Sequence, residues 1–124
     1  MTKQKQLIYD IIQNSSDHLN AEEIFEIAKK TLPNMVFATV YNNLNALVSE
    51  KKIMKIVTDK NIAYYDRNVV EHQHIICDCC GKIQDVFIPS LNHLLKKEVK
   101  QDITSYQLFL HYICDECKSL NKFQ

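Results

Sequence analysis

The chain has 124 residues, 46% of them apolar, and its 15 basic and 15 acidic residues cancel to a formal charge of zero. Such a length holds one compact domain or two small ones, and domains of about 60 residues often lean on a metal or a second subunit. The neutral total argues neither for nor against nucleic acid, because local basic patches can hide inside it. No apolar run approaches the roughly 18 residues of a membrane span, and Met1-Thr2-Lys3-Gln4-Lys5-Gln6 lacks a signal peptide's apolar core, so a cytoplasmic protein without membrane partners is expected. One glycine and two prolines exclude Gly-rich phosphate loops and long flexible linkers.

In chain order, Leu7, Ile8, Ile11 and Ile12 recur at helical spacing and predict an amphipathic helix over 2–14, broken by Asn14-Ser15-Ser16-Asp17. Asn20 followed by Glu23 fits a capping-box start for a second helix, with Ile24, Phe25, Ile27 and Ala28 as its inner face and Leu32-Pro33-Asn34 as its stop. A third helix fits 38–49, with Val40, Leu44, Leu47 and Val48 turned inward. Its outer face carries Thr39, Tyr41, Asn42, Asn43, Asn45 and Ala46, a polar, uncharged set whose Asn and Tyr side chains suit base edges and phosphates. Two β-prone runs, 53–57 and 62–65, flank the turn-like Thr58-Asp59-Lys60-Asn61. Three helices followed by a hairpin predict a winged helix, its third helix entering the major groove of double-stranded DNA. Lys51, Lys52, Lys55 and Lys60 would then lie along the phosphate backbone.

The pattern breaks at 67–71, the expected hinge between a DNA-binding domain, 1–66, and a second domain, 72–124. Strands are expected over 74–78 and 82–87 around a turn at Cys79-Cys80-Gly81, then a helix over 89–100 and a long strand over 105–114. The fold class is therefore α+β, a winged helix followed by a small α/β dimerisation domain. Leu108, Phe109, Leu110, Tyr112 and Ile113 supply more apolar surface than one thin sheet face needs, so a homodimer is expected.

The densest chemistry is His72-Gln73-His74-Ile75-Ile76-Cys77-Asp78-Cys79-Cys80-Gly81. Cys77 and Cys80 share C-x-x-C spacing with Cys114 and Cys117, and two such pairs in a reducing compartment predict a closed, structural four-thiolate zinc site. The alternative is buried cysteines or a redox dithiol. Cys79 is left over, a bystander rather than a fifth ligand. His72 and His74 are one residue apart, so on an extended chain both imidazoles project from one side, as one ion would require or as an ordinary surface pair would show. Asp66, Asp85 and His18 are further candidates that spacing alone does not select. His93 and His111 read as ordinary surface or strand histidines.

The run Ala38-Thr39-Val40-Tyr41-Asn42-Asn43-Leu44, then 72–83, then the terminal cysteine pair, resembles the ferric uptake regulator (Fur) family over nearly the whole chain. That resemblance implies a dimeric, metal-dependent repressor, not an enzyme, with an N-terminal winged helix and a zinc-stapled dimerisation domain. Within the family the chain looks most similar to the peroxide-sensing (PerR-like) branch. By motif, His18, Asp66, His72, His74 and Asp85 correspond to the regulatory Fe(II) or Mn(II) ligands, and His18 and His72 to the oxidation-sensitive histidines. Asp85, where iron sensors typically carry Glu, and Tyr41-Asn42-Asn43-Leu44 both point to that branch. Positions that form an additional metal site in some members are here Glu71, Gln73, Asn92 and Tyr106, a poor ligand set, so two metal sites per subunit are expected. The chain also starts near the first helix, without the extra N-terminal helix many members carry.

The resemblance further implies that the exchangeable ion favours a closed dimer able to place both third helices on a palindromic operator. Three alternatives remain: an iron- or manganese-responsive repressor without peroxide chemistry, a cysteine redox switch, and a metal-dependent enzyme.

Overall fold

A computed structural model describes residues 1–70 and 72–120, so Glu71, at the end of the expected hinge, and residues 121–124 lie outside the described residues. The chain divides into two compact units, with Val70 closing the first. No helix among the described residues is long and apolar enough to cross a membrane.

The first unit is built from α1 (Lys3–Gln13), α2 (Ala21–Thr31), α3 (Phe37–Ser49) and a hairpin of β1 (Met54–Val57) and β2 (Ala63–Asp66). Thr2 caps α1, its hydroxyl accepting from the Lys5 amide at 3.2 Å. The capping box of α2 is complete: the Glu23 amide donates to Asn20 Oδ1 at 2.8 Å, and the Asn20 amide donates to Glu23 Oε1 at 3.0 Å. The helices meet on Ile8 and Ile12, Ile24 and Ala28, and Val40, Leu44 and Leu47, with Ile53 and Tyr65 closing the same core. Ile27, expected on the inner face of α2, is exposed instead, because three residues on from Ile24 the helix is still short of a full turn and has not come back round to the core that Ala28 reaches. The hairpin pairs Met54 with Asp66 through Val57 with Ala63, and its turn closes with Asn61 at φ 61°. Three helices and a two-stranded wing make this unit a winged helix.

The second unit contains β3 (Gln73–Cys77), β4 (Ile83–Val86), α4 (Leu91–Val99), β5 (Phe109–Tyr112) and α5 (Asp115–Ser119). Its sheet runs β4-β3-β5, antiparallel between β3 and β4 and parallel between β3 and β5. The turn after β3 uses Gly81 at φ 80°, a left-handed conformation that suits glycine, and the Gly81 amide donates to the Cys77 carbonyl at 2.9 Å. The long strand expected over 105–114 shrinks to four residues. Its ladder runs only from His74↔Phe109 to Cys77↔Tyr112: residues 105–108 join no strand, and past Tyr112 β3 has ended and offers nothing further to pair with. The chain then turns into α5, a helix of five residues too short to leave a periodic signal. Helix α4 has no buried residue; Leu94 and Val99 on it, like Phe87 and Leu110, are exposed in the single chain.

Candidate metal centres and nucleic-acid face

Cys77 ends β3 and Cys80 sits in the turn after it, while Cys114 is the N-cap of α5 and Cys117 lies in that helix. Their four sulfurs all lie within 4.8 Å of one another, with Cys77–Cys117 at 3.9 Å and Cys80–Cys114 at 3.8 Å. A tetrahedral zinc with arms of about 2.3 Å has sulfur–sulfur edges of about 3.8 Å, whereas a disulfide would bring two sulfurs to about 2.0 Å. All five cysteines are free thiols, so the spacing suits a closed metal site. The Cys77 thiol is lowered to about 6 by the Cys80 amide and then the Cys114 amide, at 3.5 and 3.4 Å from its sulfur. Burial pushes the Cys117 thiol up. The Lys82 amide pulls the Cys80 thiol down, but its Cys77 neighbour and burial outweigh that and leave it raised. Metal ligation uses the thiolate form, so a cation held among these sulfurs would displace their protons. Cys79 is half-buried and packs against the three buried cysteines as a small apolar side chain.

In the first unit, His18 Nε2 lies 3.2 Å from Asp66 Oδ2, both side chains 8% exposed. An isolated antiparallel bridge explains the pairing. Leu19 pairs with Tyr65, the Tyr65 amide donating to the Leu19 carbonyl at 2.8 Å, which sets the residue before Leu19 opposite the residue after Tyr65. Asp66 Oδ1 accepts from the Asn68 amide at 3.0 Å, which orients the carboxylate. In the second unit, His74 pairs across the ladder with Asp85, so both side chains stand on one face of the sheet. His72 joins them from two residues upstream, its ring centroid 4.5 Å from that of His74. Asp85 Oδ1 lies 3.0 Å from His72 Nε2 and 3.4 Å from His74 Nε2, and the Phe109 ring stacks on His74 at 5.4 Å. Buried imidazole nitrogens converging on a carboxylate oxygen form a nitrogen–oxygen donor set suited to Mn(II), Fe(II) or Zn(II). Spacing could not choose Asp66 or Asp85; the bridge and the ladder register are the missing signals, and both are tertiary.

On α3, Tyr41, Asn42 and Asn45 are exposed, and Tyr41 stacks on Phe37 at 6.4 Å. Thr39 and Asn43 are half-buried. The Asn43 amide nitrogen donates to the Thr39 carbonyl at 2.9 Å, so it is engaged by its own helix. Lys51 and Lys60 are exposed, Lys60 within the hairpin turn; Lys52 lies 3.5 Å from Glu50, and Lys55 is half-buried on β1.

A family model for the ferric uptake regulator family matches residues 1–111. The chain is 32% identical over 121 residues to the peroxide-responsive repressor PerR of Staphylococcus epidermidis, covering 95% of this chain and 81% of that protein. It is 31% identical to the PerR of Staphylococcus aureus strain USA300, covering 95% and 82%. Among solved structures, the ferric uptake regulator Fur of Helicobacter pylori, described as having three functional metal-binding sites, aligns with a TM-score of 0.83 at 30% identity, over 95% of this chain and 81% of that one. The Campylobacter jejuni peroxide stress regulator aligns with a TM-score of 0.75 at 26% identity, over 92% and 88%.

Proposed function

The chain belongs to the ferric uptake regulator family, metal-responsive transcription regulators that bind DNA as dimers, and from that premise we propose that it is a cytoplasmic homodimeric repressor that senses peroxide. The observation that carries the reading is the convergence of His72, His74 and Asp85 on one another two strand residues away from the thiolate cluster. A structural zinc would be held by Cys77, Cys80, Cys114 and Cys117. The exchangeable Fe(II) or Mn(II) would take His72, His74 and Asp85 from the second domain, 72–124, and His18 and Asp66 from the first, 1–66, across a hinge at 67–71. Each donor set alone is short of a full coordination sphere, which supports sharing one ion.

In this reading, holding both sets at once favours one closed arrangement of the dimer, and the metal acts by shifting that population. Thr39, Tyr41, Asn42, Asn43 and Asn45 of each α3 then meet base edges of a palindromic operator, while Lys51, Lys52, Lys55 and Lys60 neutralise phosphates. When bound, ferrous iron supplies the electrons that split the O–O bond of peroxide beside the imidazoles. His18 and His72 would each take one peroxide oxygen at a ring C–H, peroxide being the two-electron oxidant and its second oxygen leaving as water; with their donor character lost, the dimer would open. The resemblance of the chain to PerR proteins supports this choice of sensor.

The test is to treat the Fe(II) and Mn(II) forms with peroxide and map added oxygen by mass spectrometry alongside operator binding. Oxygen on His18 and His72 in the iron form only, with loss of DNA binding, is expected; unmodified histidines with binding intact would sink the sensor reading. An iron-responsive repressor without peroxide chemistry is the second reading, favoured by the higher TM-score to the Helicobacter pylori regulator than to the Campylobacter jejuni one.

A further inference from the structure

Gln73 stands between the two histidines on β3, and strand alternation sends its side chain to the opposite face of the sheet. It is 3% exposed, and both ends of its amide are engaged. Oε1 accepts from the Ile88 amide at 2.9 Å, and Nε2 donates to the Tyr106 hydroxyl at 3.4 Å. That hydroxyl in turn donates to Oδ1 of Asn92 on α4. One line of side chains therefore ties β3 to α4 and to residues 102–108, which form no strand or helix of their own. Two neutral amides and a phenol that satisfy one another bring a cation no imidazole and no anionic oxygen.

The position of this tie matters for the histidines. The β3–β4 ladder begins at Gln73↔Val86, so His72 lies just beyond its first rung. Whatever holds Gln73 in place also sets the direction in which His72 leaves the sheet. We propose that the Gln73–Tyr106–Asn92 chain is a metal-independent positioning device: anchored on one face of β3, it keeps His72 and His74 converging on Asp85 on the other. Gln73 is the positioning residue, and Tyr106 and Asn92 act through it. The inference rests on the reading that His72, His74 and Asp85 hold the exchangeable ion.

The experiment uses the zinc-loaded full-length chain, with Mn(II) affinity measured by competition titration and ligand geometry read from the visible absorption of Co(II) in the exchangeable site. Tyr106→Phe and Gln73→Leu are expected to weaken Mn(II) binding by roughly threefold to tenfold, less than the loss typical of groups bonded directly to a metal ligand. Both should shift the Co(II) bands while zinc content and melting temperature stay at wild-type values. Asn92→Asp keeps the acceptor oxygen and should bind Mn(II) as the wild type does. Unchanged affinity and unchanged bands in Tyr106→Phe and Gln73→Leu overturn the proposal. So does an affinity loss that merely tracks loss of zinc or of folded protein. If His72→Ala and Asp85→Ala bind Mn(II) like the wild type, the reading of the site itself fails instead.

Discussion

Replacing Cys117 by serine, or withdrawing zinc with a chelator, probes where the second unit gets its stability. The first unit has a core of eleven buried apolar side chains, whereas the buried cluster described in the second consists of Cys77, Cys114 and Cys117. Full burial of a large aliphatic or aromatic side chain is worth about 1.5–3 kcal/mol, and three thiols supply less than that each. A zinc held by four thiolates contributes an apparent ~10–16 kcal/mol in small zinc domains, as much as the whole net stability of a typical domain. Metal loss should therefore unfold the second unit and spare the first. The check is hydrogen exchange followed by mass spectrometry, with and without chelator. Peptides covering β3, β4 and β5 should lose protection in the chelated protein and in Cys117→Ser, while those covering α1 and α3 keep it. Persistent protection over β3–β5 in zinc-free protein would refute the claim that the thiolate cluster is the core of this unit.

Leu44→Ala empties a fully buried position at the centre of the helical core and should cost about 2–5 kcal/mol, read as a lower denaturation midpoint for the first unit. Asp85→Asn removes the carboxylate that both imidazoles face and should weaken Mn(II) binding by about tenfold or more with zinc retained, measured by titration and metal analysis. Tyr41→Ala should reduce operator affinity by about 1–3 kcal/mol and relax discrimination between operator variants, whereas Lys60→Ala should weaken all DNA sequences alike and reduce the salt slope by roughly one, both read from binding isotherms at several salt concentrations.

Much of the fold was legible because its signals are local. The capping box at Asn20 and Glu23, the 3.6-residue stripe from Ile8 to Ile12, and the C-x-x-C pairs each sit within a few residues of chain. What stayed hidden depends on partners distant in sequence. The 105–114 strand looked long because its apolar residues extend beyond the paired segment on both sides; only the register against β3 reveals the limits. Ile27 looked buried because a helix stripe predicts a face, but the width of the core decides which edge of that face is covered. Helix α5 gave no periodic signal, yet it carries Cys117 into the thiolate cluster.

The candidate metal ligands follow the same division. Cys77, Cys80, His72 and His74 could be read together because they sit in one short stretch of chain, on or beside β3. Asp85 was one of several candidates that spacing could not select; family resemblance singled it out, and the antiparallel register that sets it opposite His74 gives the physical reason. Asp66 is chosen the same way, by the Leu19–Tyr65 bridge that sets it beside His18. In each case an imidazole near one end of a pairing meets a carboxylate delivered by the partner segment. A one-residue slip in either pairing would turn that carboxylate to the opposite face, so the meeting of imidazole and carboxylate depends on register. Gln73 fits this logic, since it is the first rung of the ladder that brings Asp85 into place and its side chain is held from both ends.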